Sequence, residues 1–516
     1  MTTADDRTPL DIDDLTVQAL PGVARHGRPL AISASTLERV AAGRRHIEDL
    51  AGRPEPTYGV STGFGALATV AIPPERRAAL QVSLTRSHAA GIGALVEPAT
   101  VRAMMTLRLH TLSTGRTGVR TEVVTALAGL LNAGIIPAVH EFGSLGCSGD
   151  LSPLAHVAIV LQGQGQVVGP DGTTGPAAHA LAAAGLTPVV LAEKEGLALI
   201  NGTDGMLGML ALALADLEDL LRIADITTAM SVEALLGTDR AFAADLIAMR
   251  PHPGQAASAA NLRRLLAGSP IVASHRHDTT HLVQDAYSLR CAPQVAGSAR
   301  DTMAHARGVA ERELDSIIDN PVITLDGRVE SNGNFHGAPV AHVLDFLAIP
   351  VADVASISER RTDRLLDRSR NQGLPAFLAH EVGVDSGYMI AQYTAAGIVS
   401  ELKRLATPAS VDSIPSSAMQ EDHVSMGWAA GRTLTAAVRG LRQGLAIELI
   451  VAARGLDLRA PLAPAVGTAA AVAALRTVVQ GPGPDRIVSD EIHAAEALLA
   501  SGALLDAVTA ALGPLD

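Results

Sequence analysis

Residues 206–223 read MLGMLALALADLEDLLRI. Met206, Leu210, Leu214, Leu217 and Leu221 recur at intervals of three and four, the spacing that lines one face of an α-helix. The same periodicity returns at 227–249, 298–317, 341–365, 388–405 and 433–456. The chain therefore predicts a mainly α protein built on a long central helical bundle. Composition agrees: of 516 residues 48% are hydrophobic but only 2% aromatic, so Ala, Leu, Val and Ile must fill the core, which suits packed helices and argues against an all-β sandwich. Asp216, Glu218 and Asp219 cut the apolar run before the roughly 18–20 residues of a membrane span, and no membrane segment is expected.

Upstream of this stretch the pattern is mixed and glycine-dense, which places a domain boundary at 204/205: an N-terminal domain over 1–204, and the long-helix bundle with a C-terminal helical region over 205–516. Helices are expected at 35–50, 76–90 and 100–133. Small β-hairpins are expected at 166–172, turned by Pro170-Asp171-Gly172, and around Asp326-Gly327.

Charge and cysteine content narrow the function. The net charge is −13, with 53 acids against 40 Lys and Arg, so no nucleic-acid partner is expected. Two cysteines, Cys147 and Cys291, exclude a disulfide framework, and the acidic start MTTADDRTPLDIDD lacks the features of a secretory signal, which points to the cytoplasm. His275, His277 and His281 are spaced like metal ligands, but the polar residues around them favour an exposed loop, and no metal is expected. Glu311, Glu313, Asp315 and Asp319 read as a solvated helix face and helix end.

The scarce aromatics are informative. Tyr58, Phe64, Phe142, Tyr287, Phe335 and Trp428, six of eleven, fall in polar, glycine-rich segments and not in the periodic helices. The segment Gly146-Cys147-Ser148-Gly149-Asp150 carries specific chemistry. The Gly149 nitrogen, unhindered by a side chain, can attack the Cys147 carbonyl carbon. Loss of that oxygen as water and of the Ser148 hydroxyl as a second water leaves a methylidene on an imidazolone, an electrophile made from the chain itself. From this pentapeptide alone a structural turn and a serine nucleophile remain open readings, although the second glycine of G-x-S-x-G is not in place.

GSLGCSGDLSPLAH (143–156), YGVSTGFG (58–65), RSHAAG (86–91), ALINGT (198–203), QDAYSLRC (284–291), NFHG (334–337) and QEDHVSMG (420–427) occur together in this one chain. With these motifs it resembles the aromatic amino acid lyase family over about residues 20–510. The resemblance implies the aspartase/fumarase-like superfamily and an N-terminal domain bearing 4-methylidene-imidazol-5-one (MIO) made from Cys147, Ser148 and Gly149, with no external cofactor. Cys147 departs from the family's usual Ala and raises the question of thiol oxidation beside the electrophile. The resemblance implies Tyr58 as the base for the β-proton, Tyr287 near the electrophile, Gln284 in substrate contact, Asn201 hydrogen-bonded to electrophile or substrate, and Phe335 lining the pocket. Arg290 is the carboxylate clamp, since a guanidinium fork grips both oxygens of an amino acid. Gln284 and Tyr287 precede it by six and three residues, the spacing of one helical face.

His88, in the pair Ser87-His88, and Glu421 are the family's substrate selectors and are of the histidine type here. The expected reaction is loss of ammonia from L-histidine to give trans-urocanate, the opening step of histidine breakdown, in a homotetramer with shared active sites. An aminomutase or a tyrosine-deaminating enzyme is the alternative. Two further departures are Asp204, where many relatives carry Gln, and Met419, where Asn is frequent.

Overall fold

The structure, a computed structural model, describes residues 8–53, 57–63, 65–278 and 283–516. Helices dominate. The longest are Asp204–Ala234, Ala292–Leu314, Ala338–Leu366 and Gly427–Asp457. Strands are short and paired locally: Gln166–Val168 with Thr174–Pro176, and Val322–Ile323 with Val329–Glu330, as expected from their turn residues. The first of these hairpins turns through Pro170-Asp171-Gly172, with Gly172 N–H donating to Gly169 O at 3.0 Å and Gly169 N–H to Thr173 O at 2.7 Å.

Contacts divide the chain into two compact units. One comprises Met1–Ala215, Arg307–Asp345 and Pro408–Arg432, the other Asp216–Ala306, Phe346–Thr407 and Thr433–Asp516. This corrects the single boundary at 204/205. Four of the five crossings fall inside long helices, whose ends pack with residues remote in sequence. The first unit thereby collects the segments around 143–156, 198–203, 334–337 and 420–427, although only the first two lie before residue 205.

Several helix boundaries moved for local reasons. The expected helix over 100–133 is two, Pro98–Ser113 and Thr121–Asn132, parted where Gly115 and Gly118 adopt φ of +72° and +73°. The helices expected at 206–223 and 227–249 are instead one continuous helix that stops at Ala234, with Ala244–Ala248 a separate short helix. The acids at 216, 218 and 219 do not shorten it: by length and composition alone Glu195–Ala234 and Ala338–Leu366 would suffice to cross a membrane. The most apolar window of the former is wholly buried inside the protein, where its apolar side chains form core. In the second unit, Glu448 is buried and accepts from Arg361 Nη2 (2.8 Å), Ser231 Oγ (2.8 Å) and Ser358 Oγ (2.6 Å), so its charge is fully partnered.

Candidate active site

The Cys147-Ser148-Gly149 segment leads into the helix Leu151–Leu161. Gly149 has φ +78°, and a Cβ there would stand 2.0 Å from the carbonyl oxygen of Gly202. Only glycine fits. Asp150 N–H donates to that same oxygen at 2.7 Å. The Asp150 carboxylate is buried, accepts from Ser144 Oγ (2.8 Å) and Met206 N–H (2.9 Å), and is pushed up to about 7 by burial. The Cys147 thiol is also buried. Burial first, and then Glu421, push it up to about 11. Because the thiolate is the oxidisable form, that environment answers the redox question: the thiol stays protonated near neutral pH.

Ser148 opens into a cavity of about 530 Å³ shared with Tyr58, His88, Asn201 and Glu421, all in the first unit. His88 ends the helix Arg77–His88, and its Nδ1 lies 2.9 Å from Leu84 O. A proton on Nδ1 satisfies that contact and leaves Nε2 as an acceptor. Burial lowers its pKa, so the ring is neutral. Asn201 stands where the helix Glu195–Ile200 ends and Asp204–Ala234 has yet to begin; its Oδ1 is buried with no hydrogen-bond partner. Glu421 is pinned through its backbone to Ser416 (N–O 2.9 Å), next to Ser417, Ala418 and Met419, three successive non-glycine residues with φ of 51°, 53° and 68°. Its Oε1 accepts from Ser148 Oγ (3.4 Å) and its Oε2 from Ser416 Oγ (3.0 Å).

Tyr58 Oη accepts from Gly65 N–H at 3.3 Å. Burial, with Glu421 adding to it, raises the phenol above its ordinary pKa. A base needs the opposite shift, so a positive charge brought by the substrate has to offset these two effects.

Other expected residues are elsewhere. Phe335 is half-buried on the 331–337 loop and does not line this cavity; nor does Met419, which is 66% exposed. Gln284, Tyr287 and Arg290 belong to the second unit. Gln284 lies in a bend before the four-residue helix Tyr287–Arg290, which corrects the single helical face expected for the three. Tyr287 is 70% exposed and carries the Arg290 guanidinium 4.6 Å from its ring centroid; Arg290 Nε is buried without a partner. Phe64 and His281 lie outside the described residues. His275 Nε2 contacts Gly237 O at 3.0 Å, and among the described residues no three His, Cys, Asp or Glu gather around a common point.

The solvated-acid reading fails at two positions. Asp319 is fully buried against Lys194, and Glu313 accepts from Thr203 Oγ1 at 2.6 Å. Sequence reading also missed Leu151, Leu197 and Ser417, which line the cavity, and Arg108, which is fully buried and donates to Asn201 O at 2.6 Å. An arginine inside the apolar 100–113 pattern was the available signal.

The chain matches the profile of the aromatic amino acid lyase family over residues 15–477 and belongs to that family. A relative named histidine ammonia-lyase from Streptomyces avermitilis is 60% identical over 502 residues, 97% of this chain and 98% of that protein. A solved structure of histidine ammonia-lyase from Trypanosoma cruzi superposes with a TM-score of 0.88 at 37% identity, over 96% of this chain and 94% of that one. A solved tyrosine aminomutase from Streptomyces globisporus gives a TM-score of 0.94 at 36% identity, covering 99% and 100% respectively.

Proposed function

We infer that this chain removes ammonia from L-histidine and leaves trans-urocanate. The observation that carries the reading is that His88 and Glu421 share one cavity with Ser148. Once Ser148 Oγ has left, a phenyl ring would offer nothing to Glu421 Oε1 and leave Ser416 Oγ as the partner of this half-buried carboxylate, whereas an imidazole N–H pairs with it. The Cys147-Ser148-Gly149 segment fits MIO formation: Gly149 has no room for a side chain, and the unpaired Asn201 Oδ1 is buried at the same cavity.

The MIO ring would supply an electrophilic carbon that turns the amino group into a leaving group or takes up the imidazole's electrons. Departure of Ser148 Oγ on ring formation also removes the 3.4 Å partner of Glu421 Oε1, which frees that oxygen for the substrate. His88 Nε2 offers a second acceptor. Tyr58 takes the β-proton once the substrate's ammonium has offset its raised pKa. Gln284, Tyr287 and Arg290 come to the substrate in a homotetramer with shared sites, a role supported by the exposure of Tyr287 and the unpaired Arg290 Nε. Phe335 is proposed to complete the pocket wall in that assembly. The cytoplasm is the proposed compartment, in keeping with two free thiols.

The likeness to an aminomutase motivates a second reading, return of ammonia to the β-carbon. Incubation with L-histidine, L-tyrosine and L-phenylalanine separately, following free ammonia and ultraviolet absorbance, decides between them. Urocanate and free ammonia from histidine alone are expected. Release from tyrosine or phenylalanine would overturn the substrate, and β-amino acid without free ammonia would overturn the reaction.

Arg290→Lys should raise KM by about tenfold, because an ammonium replaces a two-pronged grip with a single point of contact. Steady-state kinetics check this, and wild-type KM would remove Arg290 from the site.

A further inference from the structure

Arg108, in the helix Pro98–Ser113, is 0% exposed and spends its guanidinium on backbone. Nη1 donates to Asn201 O at 2.6 Å and Nη2 to Ile318 O at 2.9 Å. Nε stands 3.5 Å from Asp204 Oδ2 without a hydrogen bond, and Asp204 is itself 5% exposed. The buried Lys194–Asp319 ion pair belongs to the same unit, and the four charges sum to zero. Gly202 is wedged in this arrangement: a Cβ on it would lie 2.3 Å from Asp204 Oδ2 and 2.5 Å from Arg108 Nη1. On its other side, the Gly202 carbonyl takes the Asp150 N–H and leaves no space beside Gly149.

We propose that Arg108, charge-balanced by Asp204, is the positioning residue that seats the 201–203 turn against Gly149 and so permits the Cys147-Ser148-Gly149 segment to close into its ring. The proposal rests on the MIO reading above. In the closure, the Gly149 nitrogen bonds to the Cys147 carbonyl carbon and gives up its proton. The carbonyl oxygen leaves as water with that proton and the Ser148 amide proton, and a C=N bond forms. The Ser148 hydroxyl then leaves as a second water with the Ser148 α-proton. No oxidant or reductant is needed. What the step does need is Gly149 held in its left-handed conformation with its nitrogen near the Cys147 carbonyl, and the Gly202 carbonyl supplies that wall. If Arg108 served stability alone, losing its hydrogen bonds to the Asn201 and Ile318 carbonyls would lower the melting temperature while the ring still closed completely.

The test is the mass of the proteolytic peptide carrying residues 147–149, together with the melting temperature, for the full-length wild type, Arg108→Lys and the double variant Arg108→Met with Asp204→Asn. The double variant removes both charges at once and so avoids a stranded carboxylate. Wild type should be lighter by two waters throughout. The double variant should melt as a folded protein yet close its ring about a hundredfold more slowly, the penalty that roughly 1 Å of misplacement carries. Arg108→Lys, which keeps the charge but reaches one carbonyl at a time, should fall between. A folded double variant with complete loss of two waters overturns the proposal and leaves the MIO reading standing. A double variant that does not fold makes Arg108 a core ion pair and overturns it too. Wild type without the loss of water would sink the MIO reading itself, and the proposal with it.

Discussion

Ser148→Ala should abolish turnover with little effect on the fold. Alanine has no hydroxyl to lose, so no methylidene can form even if the ring closes. The substrate's amine then remains a poor leaving group, and the β-proton, only weakly acidic, is out of reach of any side-chain base in the cavity. We expect kcat to fall by about 10³-fold or more, or more than about 4 kcal/mol of barrier. On the MIO reading Ser148 Oγ has already left in the wild type, and residue 148 is half-buried, so the unfolding free energy should stay within about 1 kcal/mol of wild type. Ammonia release and thermal melting measured on the same preparation check both halves. Wild-type rates in Ser148→Ala would remove the electrophile from the mechanism.

Tyr58→Phe should also cripple the enzyme, but by a different route. Ring formation needs nothing from residue 58, so the peptide spanning 147–149 should keep its loss of two waters while kcat drops about 10²–10⁴-fold, the usual share of a positioned base. The pH dependence separates this from a packing effect. A base works deprotonated, so turnover should rise with pH as Tyr58 loses its proton. The raised pKa of the free chain places that rise in kcat/KM above the ordinary tyrosine range, and substrate charge brings it down in kcat. In Tyr58→Phe the rise should vanish. If it persists unchanged, another group is the base.

Leucine spacing made the long helices legible in sequence, and Asp326-Gly327 did the same for its hairpin, because both are local patterns. Five of the seven motifs converge, with Tyr58, His88, Ser148, Asn201 and Glu421 meeting at one cavity, whereas QDAYSLRC and NFHG contribute nothing to its lining. Illegible were features set by remote partners. Asp319 looks like any acid at a helix end until Lys194 is seen against it, and Glu313 looks solvated until Thr203 is placed. Arg290 carries the chemistry of a substrate clamp at sequence level, yet within one chain it belongs to the unit that does not hold the cavity. Residue type foretells what a group can bind, whereas its address depends on how chain segments and subunits come together. Gln284 fell off the expected helix face because the helix begins only at Tyr287.

The contact between Gly149 and the Gly202 carbonyl bears on safety inside the cell. Residues 149 and 202 lie far apart along the chain, and the wall that readies Gly149 exists only once both are in their native places. On the proposed cyclisation, a nascent or misfolded copy would carry an ordinary serine and no reactive alkene that could alkylate other molecules. The electrophile would then arise only where the fold's own geometry has been completed.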